Sequence, residues 1–258
     1  MKHAYLDQYS DIDSYFHRLD ARTKLIYTFI FILLVVLTSL DSWPLLGFYA
    51  GITVILILAS KLPPLYVIRR SLIVMPFVIL IAVFVPFFRE GEIIASFNIW
   101  QWNITMSDTG IQAFLTIMAK SWLSILNLIW LTATTKITHI LYALERLHFP
   151  RVLVMILSFM YRYIFVIVDE VMRMKQARDS RNIGSSRLCN LRTIGNMIGI
   201  LFIRSYERSE RVYTAMSSRG FDGQVRVIEQ LKFSKADVIF FMSFGVIVIT
   251  ASIINLVI

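Results

Sequence analysis

The chain has 258 residues, 57% of them hydrophobic, with a mean hydropathy of +0.67. Such values exclude an ordinary soluble domain and point to a polytopic membrane protein. The net charge of +9 would suggest nucleic acid in a soluble chain; here it reads as cytoplasmic loops facing anionic lipid, with no nucleic-acid partner.

Residues 1–24 are polar. They carry Asp7, Asp11, Asp13 and Asp20 and no apolar core, so no cleavable signal peptide is expected there. Their basic end, up to Arg22 and Lys24, predicts an N-terminus inside the cell. Leu25–Leu40 reads as a first span, and the Asp41-Ser42-Trp43-Pro44 turn leads to a second over Pro44–Ser60. Lys61 to Arg70 reads as a second basic cytoplasmic loop, and Leu72–Phe88 as a third span holding Pro76 and Pro86. Residues 89–109 lack a basic excess and carry Trp100 and Trp102, as an outside loop with interfacial aromatics would. Ile111–Ala133 is the fourth span. It holds Lys120, which either snorkels to the interface or meets a partner subunit.

Ile137, Ile140, Leu141, Leu144 and Leu147 repeat with helical period, stopping at Pro150. This amphipathic helix is too short to span and is expected in the inner interface. Val152–Val168 is apolar enough for a span, but Arg162 interrupts it. If it crossed, residues 171–235, with 13 Lys and Arg against 5 Asp and Glu, would lie outside. That excess of 8 breaks the positive-inside rule, so 152–180 is expected as a long cytoplasmic helix with Asp169 and Arg173 at ion-pair spacing. A second long helix follows over about 190–219. Arg204, Glu207, Arg208 and Arg211 form one stripe on it. Gly195, Gly199, Phe202, Tyr206 and Ser209 lie opposite, and the glycine step predicts close packing on the first long helix. Ala236–Ile258 is the final span.

The two long helices end alike. Ala177, Ser180 and Arg181 match Ala215, Ser218 and Arg219 at an offset of 38 residues, and the next two places keep their type: Asn182 or Gly220, then a large apolar residue. Gly or Asn at such a place closes a helix in the left-handed conformation, with the apolar residue (Phe221) folding back towards Met216. Each arginine then stands at the negative end of a helix dipole. The repetition suggests two presentation sites for a partner.

No Gly-x4-Gly-Lys-Ser/Thr loop occurs, and His3, His17, His139 and His148 lack metal-ligand spacing. No Ser/His/Asp or Cys/His set assembles, and Cys189 reads as a plain small residue. The expectation is a chain that is not an enzyme and holds neither metal nor cofactor.

The chain resembles the transmembrane T component of energy-coupling factor (ECF) transporters, most closely the cobalt/nickel CbiQ-type branch. The likeness rests on His17-Arg18-Leu19-Asp20-Ala21-Arg22-Thr23-Lys24, where the family has Pro for Ala21. It rests also on Thr134-Thr135, Ala143 to Leu147 with Pro150, and Tyr161-Arg162-Tyr163 with Asp169-Glu170. Ser180-Arg181-Asn182 and Ser218-Arg219-Gly220 resemble the family's two Ala-Arg-Gly signatures, Asn182 being the larger departure. The run from Arg204 to Tyr213, continuing through Ala215-Met216 to Gly223, favours the cobalt/nickel branch.

The resemblance implies an all-α membrane protein of about five transmembrane helices. A cytoplasmic platform would consist of one short and two long crossed coupling helices. The parts are then 1–24, a cytoplasmic segment; 25–135, four spans; 136–235, the coupling region; and 236–258, the final helix. The resemblance also implies two ABC-type ATPase subunits as partners, as a homo- or heterodimer, docking on the two helix ends. A membrane-embedded substrate-binding (S) subunit would complete a complex in the prokaryotic cell membrane. A shared T component serving several vitamin-binding subunits is the alternative. An intramembrane enzyme is a third reading, and Lys120 is the one ionisable group seen inside the spans to support it.

Overall fold

The computed structural model of the chain describes residues 14–39, 42–88, 93–99, 102–181, 187–221, 223 and 235–257. Its elements in order are α1 (Ala21–Leu37), α2 (Trp43–Ala59), α3 (Pro64–Ala82), α4 (Val85–Phe88), β1 (Ile93–Ile99) and β2 (Trp102–Ser107). They continue as α5 (Asp108–Thr134), α6 (Ile137–Arg146), α7 (Arg151–Asp179), α8 (Arg187–Ser217) and α9 (Lys235–Val257). This is an all-α membrane protein with one small hairpin. Helices α3, α5 and α7 are long and apolar enough to cross a membrane by length and composition, and α2 and Ala236–Val246 are shorter apolar helices.

Local chemistry sets the helix starts. Asp20 caps α1, its carboxylate accepting from the Arg22 N–H at 2.9 Å, and Ser107 caps α5 by accepting from the Gly110 N–H at 3.0 Å. Prolines occupy the first turns of α2 and α3, where a missing N–H costs nothing. The start at Pro64 corrects the expected basic loop: Arg69 and Arg70 lie inside α3, because Pro64 already opens the helix. Two helices close on left-handed residues other than glycine, α2 at Lys61 (φ 55°) and α6 at His148 (φ 63°). At α6 the Phe149 N–H reaches Leu144 O at 3.1 Å and the His148 N–H reaches Glu145 O at 3.3 Å. That is a Schellman closure.

The chain divides into two compact units, residues 2–143 with 230–258, and residues 144–229. In the first, α5 contacts α1, α2, α3 and α4. Its core is aromatic. The Tyr27 ring lies 5.6 Å from Trp130, 5.3 Å from Phe240 and 4.6 Å from Phe244, mostly edge to face. Phe16, before α1, adds edge contacts to Trp130 and Phe240. Polar side chains on α5 find partners on other helices, as a water-poor setting demands. Asn127 donates to Thr53 at 3.2 Å, Trp130 to Ser60 at 2.7 Å and Trp122 to Ser71 at 3.4 Å. Gly110 sits where no Cβ fits, since one built there would lie 2.7 Å from Pro86 Cα.

Lys120, expected to snorkel or to meet a partner subunit, finds carbonyls at the end of another helix of this chain. Its ammonium donates to Val36 O at 3.1 Å and to Thr38 O. It thereby caps the last carbonyls of α1, where the helix dipole attracts a cation. Within the expected outside loop, residues 93–99 and 102–107 pair as antiparallel strands, with Ile99 opposite Trp102 and an irregularity between Ile93 and Ala95. Their isoleucines and threonine favour extended backbone. Trp100 lies outside the described residues.

Candidate functional site

The second unit is built on α7 and α8. Arg204 of α8 hydrogen-bonds Glu170 of α7, and Phe159 of α7 meets Phe221, just past α8, at a ring separation of 6.3 Å. Residue numbers on one helix fall as they rise on the other, so the two run antiparallel. Their carboxyl ends therefore point in opposite directions. The rise from Phe159 to Ser180 along α7 is about 30 Å, which sets the scale of their separation.

The α8 end forms as its sequence predicts. The Phe221 N–H donates to Met216 O at 3.1 Å and the Gly220 N–H to Ser217 O at 3.0 Å, with Gly220 at φ 73°. These are the two bonds of the Schellman motif, and Arg219 occupies the last helical place. Ser218 Oγ ties back to Thr214 O at 2.8 Å. Phe221 is half-buried and shares with Met216 a groove of about 790 Å³ between the two helices.

The α7 end is described through Arg181. The Ser180 N–H donates to Gln176 O and the Arg181 N–H to Arg178 O, each at 3.0 Å, and Ser180 Oγ donates to Ala177 O at 3.0 Å. Asn182 lies outside the described residues, so the expected cap there has no structural counterpart to examine. Arg178 folds onto Asp179 at 2.6 Å and offsets its charge. Ala177, Ser180, Arg181, Ala215, Ser218, Arg219 and Gly220 are all exposed or nearly so. Among the described residues neither Arg181 nor Arg219 has an ion-pair partner.

Between the ends, one carboxylate joins the helices. Glu170 accepts from Arg204 across the pair and lies 3.2 Å from Arg173 on its own helix. Asp169, which the sequence places at ion-pair spacing from Arg173, is itself engaged. Glu170 is the acidic residue in phase with Phe159, Tyr163 and Val166, which line the groove, and so it is the one that reaches across to α8.

The helix-crossing prediction is not where α7 and α8 meet. A Cβ at Gly195 or Gly199 would touch nothing within 4 Å, Phe202 is 73% exposed and Tyr206 59%. Ser209 is exposed and donates to Tyr206 O, and of these five it alone lines the groove between the helices. Helix α8 instead turns Leu201, Arg204, Ser205 and Val212 to α7. The reason is the match of Arg204 to Glu170, which a glycine face cannot offer. Among the described residues, no group of three or more His, Cys, Asp or Glu gathers as a metal ion would need.

Comparison with known proteins gives a consistent picture. The family model described as cobalt transport protein, CbiQ, matches residues 13–230. An uncharacterized protein of Methanocaldococcus jannaschii is 26% identical over 90% of this chain and 86% of its own length. The energy-coupling factor transporter transmembrane protein EcfT of Ruminiclostridium cellulolyticum is 26% identical over 91% and 90%. A putative fused cobalt transport protein CbiMQ of Methanocorpusculum labreanum is 28% identical over 85% of this chain and 37% of its own.

Proposed function

The chain belongs to the CbiQ family of cobalt transport proteins, and we propose from that membership that it is the energy-coupling transmembrane subunit of an ECF-type importer. Two cytoplasmic ABC-type ATPases dock on its two helix ends, one at Ala177, Ser180, Arg181 and Asn182, the other at Ala215, Ser218, Arg219 and Gly220. A membrane-embedded S subunit carries the cargo, cobalt or nickel. The ATPases hydrolyse ATP, and this chain has no catalytic role. The carrying observation is the pair of exposed arginines, without an ion-pair partner among the described residues, at opposed ends of one antiparallel helix pair. Closure of the ATPases on ATP changes the distance between the two ends, and α7 and α8 pass that change to the membrane.

In this reading the chain is a multi-pass protein of the prokaryotic cell membrane. The N-terminus and α6 to α8 are cytoplasmic, and α7 does not cross despite its length. The charge excess of residues 171–235 supports that placement. A cysteine at Ser186, in a Cys189→Ser background, is expected to react with an impermeant thiol reagent only from the cytoplasmic side. Labelling from outside would overturn the topology.

Affinity purification of the tagged chain from its native membrane is expected to bring down two ATP-binding subunits and one small metal-binding membrane protein. Recovery without any ATPase would sink the reading. The alternative is a module shared among several substrate-binding subunits. Several different vitamin-binding subunits in the same purification would establish it in place of the cobalt or nickel role.

A further inference from the structure

The start of α1 is buried against three other elements by charged groups to which the docking mechanism gives no work. The Asp20 N–H donates to Asp237 Oδ1 of α9 at 2.8 Å, and Thr23 Oγ1 lies 3.2 Å from the same oxygen. Lys24 donates to Thr134 O, at the last residue of α5, at 3.0 Å, and to His17 O at 3.4 Å. Asp20, Lys24 and Asp237 are each 1–2% exposed. Arg22 joins this cluster to α6: its Nε lies 3.9 Å from Asp20 Oδ2. Its Nη2 donates to Tyr142 Oη of α6 at 3.3 Å, and its guanidinium carbon lies 5.3 Å from the centre of that ring. Tyr142 itself is buried.

Buried charges are a costly way to join helices, and well-packed apolar residues hold at least as firmly. What charge-assisted hydrogen bonds add is direction: each works only at one register. Lys24 also sits at the negative end of the 27-residue helix α5, where a cation is attracted to unpaired carbonyls. The first turn of α1 thus fixes the ends of α5 and α9 together, and Arg22 extends from that fixed turn to α6. In the chain only Leu147 to Pro150 separate α6 from α7.

We propose that Lys24 and Arg22 are positioning residues for coupling: Lys24, with Asp20 and Asp237, locks the ends of α1, α5 and α9, and Arg22 holds α6 to that lock through Tyr142. This rests on the coupling role proposed above. With α6 loose, motion of the long helices is absorbed at the junction instead of reaching the spans. ATP is then spent with less transport.

Two readouts test it in the intact complex, reconstituted in vesicles with the subunits that co-purify. Spin labels at Thr138→Cys on α6 and Arg69→Cys on α3, in a Cys189→Ser background, report the distance distribution between those elements. Uptake of radioactive cobalt(II) per ATP hydrolysed reports coupling. Lys24→Met, Asp237→Asn and Tyr142→Phe are each expected to broaden the distribution and to lower uptake per ATP by about 2- to 30-fold, with ATP hydrolysis retained. Tyr142→Phe keeps the ring and removes only the hydroxyl, so it decides the matter if Lys24→Met fails to assemble. Lys24→Arg is expected to recover most of the coupling. An unchanged distance distribution in Tyr142→Phe and Asp237→Asn overturns the proposal whatever the transport result. So does a broadened one with unchanged uptake per ATP, or uptake, hydrolysis and assembly falling in parallel in all three variants. A wild-type complex that hydrolyses ATP without cobalt(II) uptake counts against the cobalt role instead, while the distance arm still decides the positioning.

Discussion

Replacing Arg219 with glutamate is expected to abolish transport while the protein still folds and inserts. The cap at that end is made by main-chain bonds, from Phe221 to Met216 and from Gly220 to Ser217. None of them uses the arginine side chain, so the helix end survives the change. What is lost is a cation presented at a helix terminus, and what is gained is repulsion from any acidic pocket that received it. Breaking such a charged, partly buried contact costs on the order of 2–5 kcal/mol. ATPase affinity should fall by roughly 30-fold to several thousand-fold. Arg181→Glu is expected to act in the same direction at the other end. The check is co-purification of the ATPases together with uptake. Full recovery of ATPase with the double variant would remove the docking idea.

Trp130→Ala is the change expected to cost most in stability. The indole is 1% exposed and donates to Ser60 at 2.7 Å. Its ring stands edge-on to Tyr27 and Phe16. Removing a buried ring of that size leaves a cavity and orphans the Ser60 hydroxyl, a loss of about 3–5 kcal/mol. In detergent, where the protein unfolds measurably, that corresponds to a midpoint lower by roughly 6–20 °C. Phe202→Ala provides the contrast. At 73% exposure it is expected to move stability by about 0.5 kcal/mol or less. A large effect there would mean that α8 is covered on that face within this chain.

The apolar helices and the α8 end were legible because each is a local pattern. A run of apolar residues or an Arg-Gly-Phe close says what it does within one or two turns. Lys120 was not legible. A cation in a span satisfies itself with whatever carbonyls lie near in space, and the C-terminus of α1 is 82 residues away in sequence. The Asp237 contact is more distant still, 217 residues from Asp20, so the leading motif was recognisable without its purpose being so. His148 escaped notice for another reason. Histidine tolerates the left-handed region but does not advertise it as glycine does. The face of α8 was misread because a glycine step states only that close approach is allowed. Glu170 supplied the attraction that selected the other face. The strands went unread because 89–109 was judged by charge and aromatics rather than by alternation.

The antiparallel run of α7 and α8 has a geometric consequence. A half-turn about an axis passing between two such helices exchanges them, and exchanges the Ser180-Arg181 end with the Ser218-Arg219 end. The chain therefore carries an approximate dyad in one small region. A dimer with two-fold symmetry presents the same receptor twice, facing opposite ways. A monomer can satisfy both receptors only by offering the same motif twice in opposed directions. Reversing the chain between its two long helices does this with one connector and 38 residues of offset.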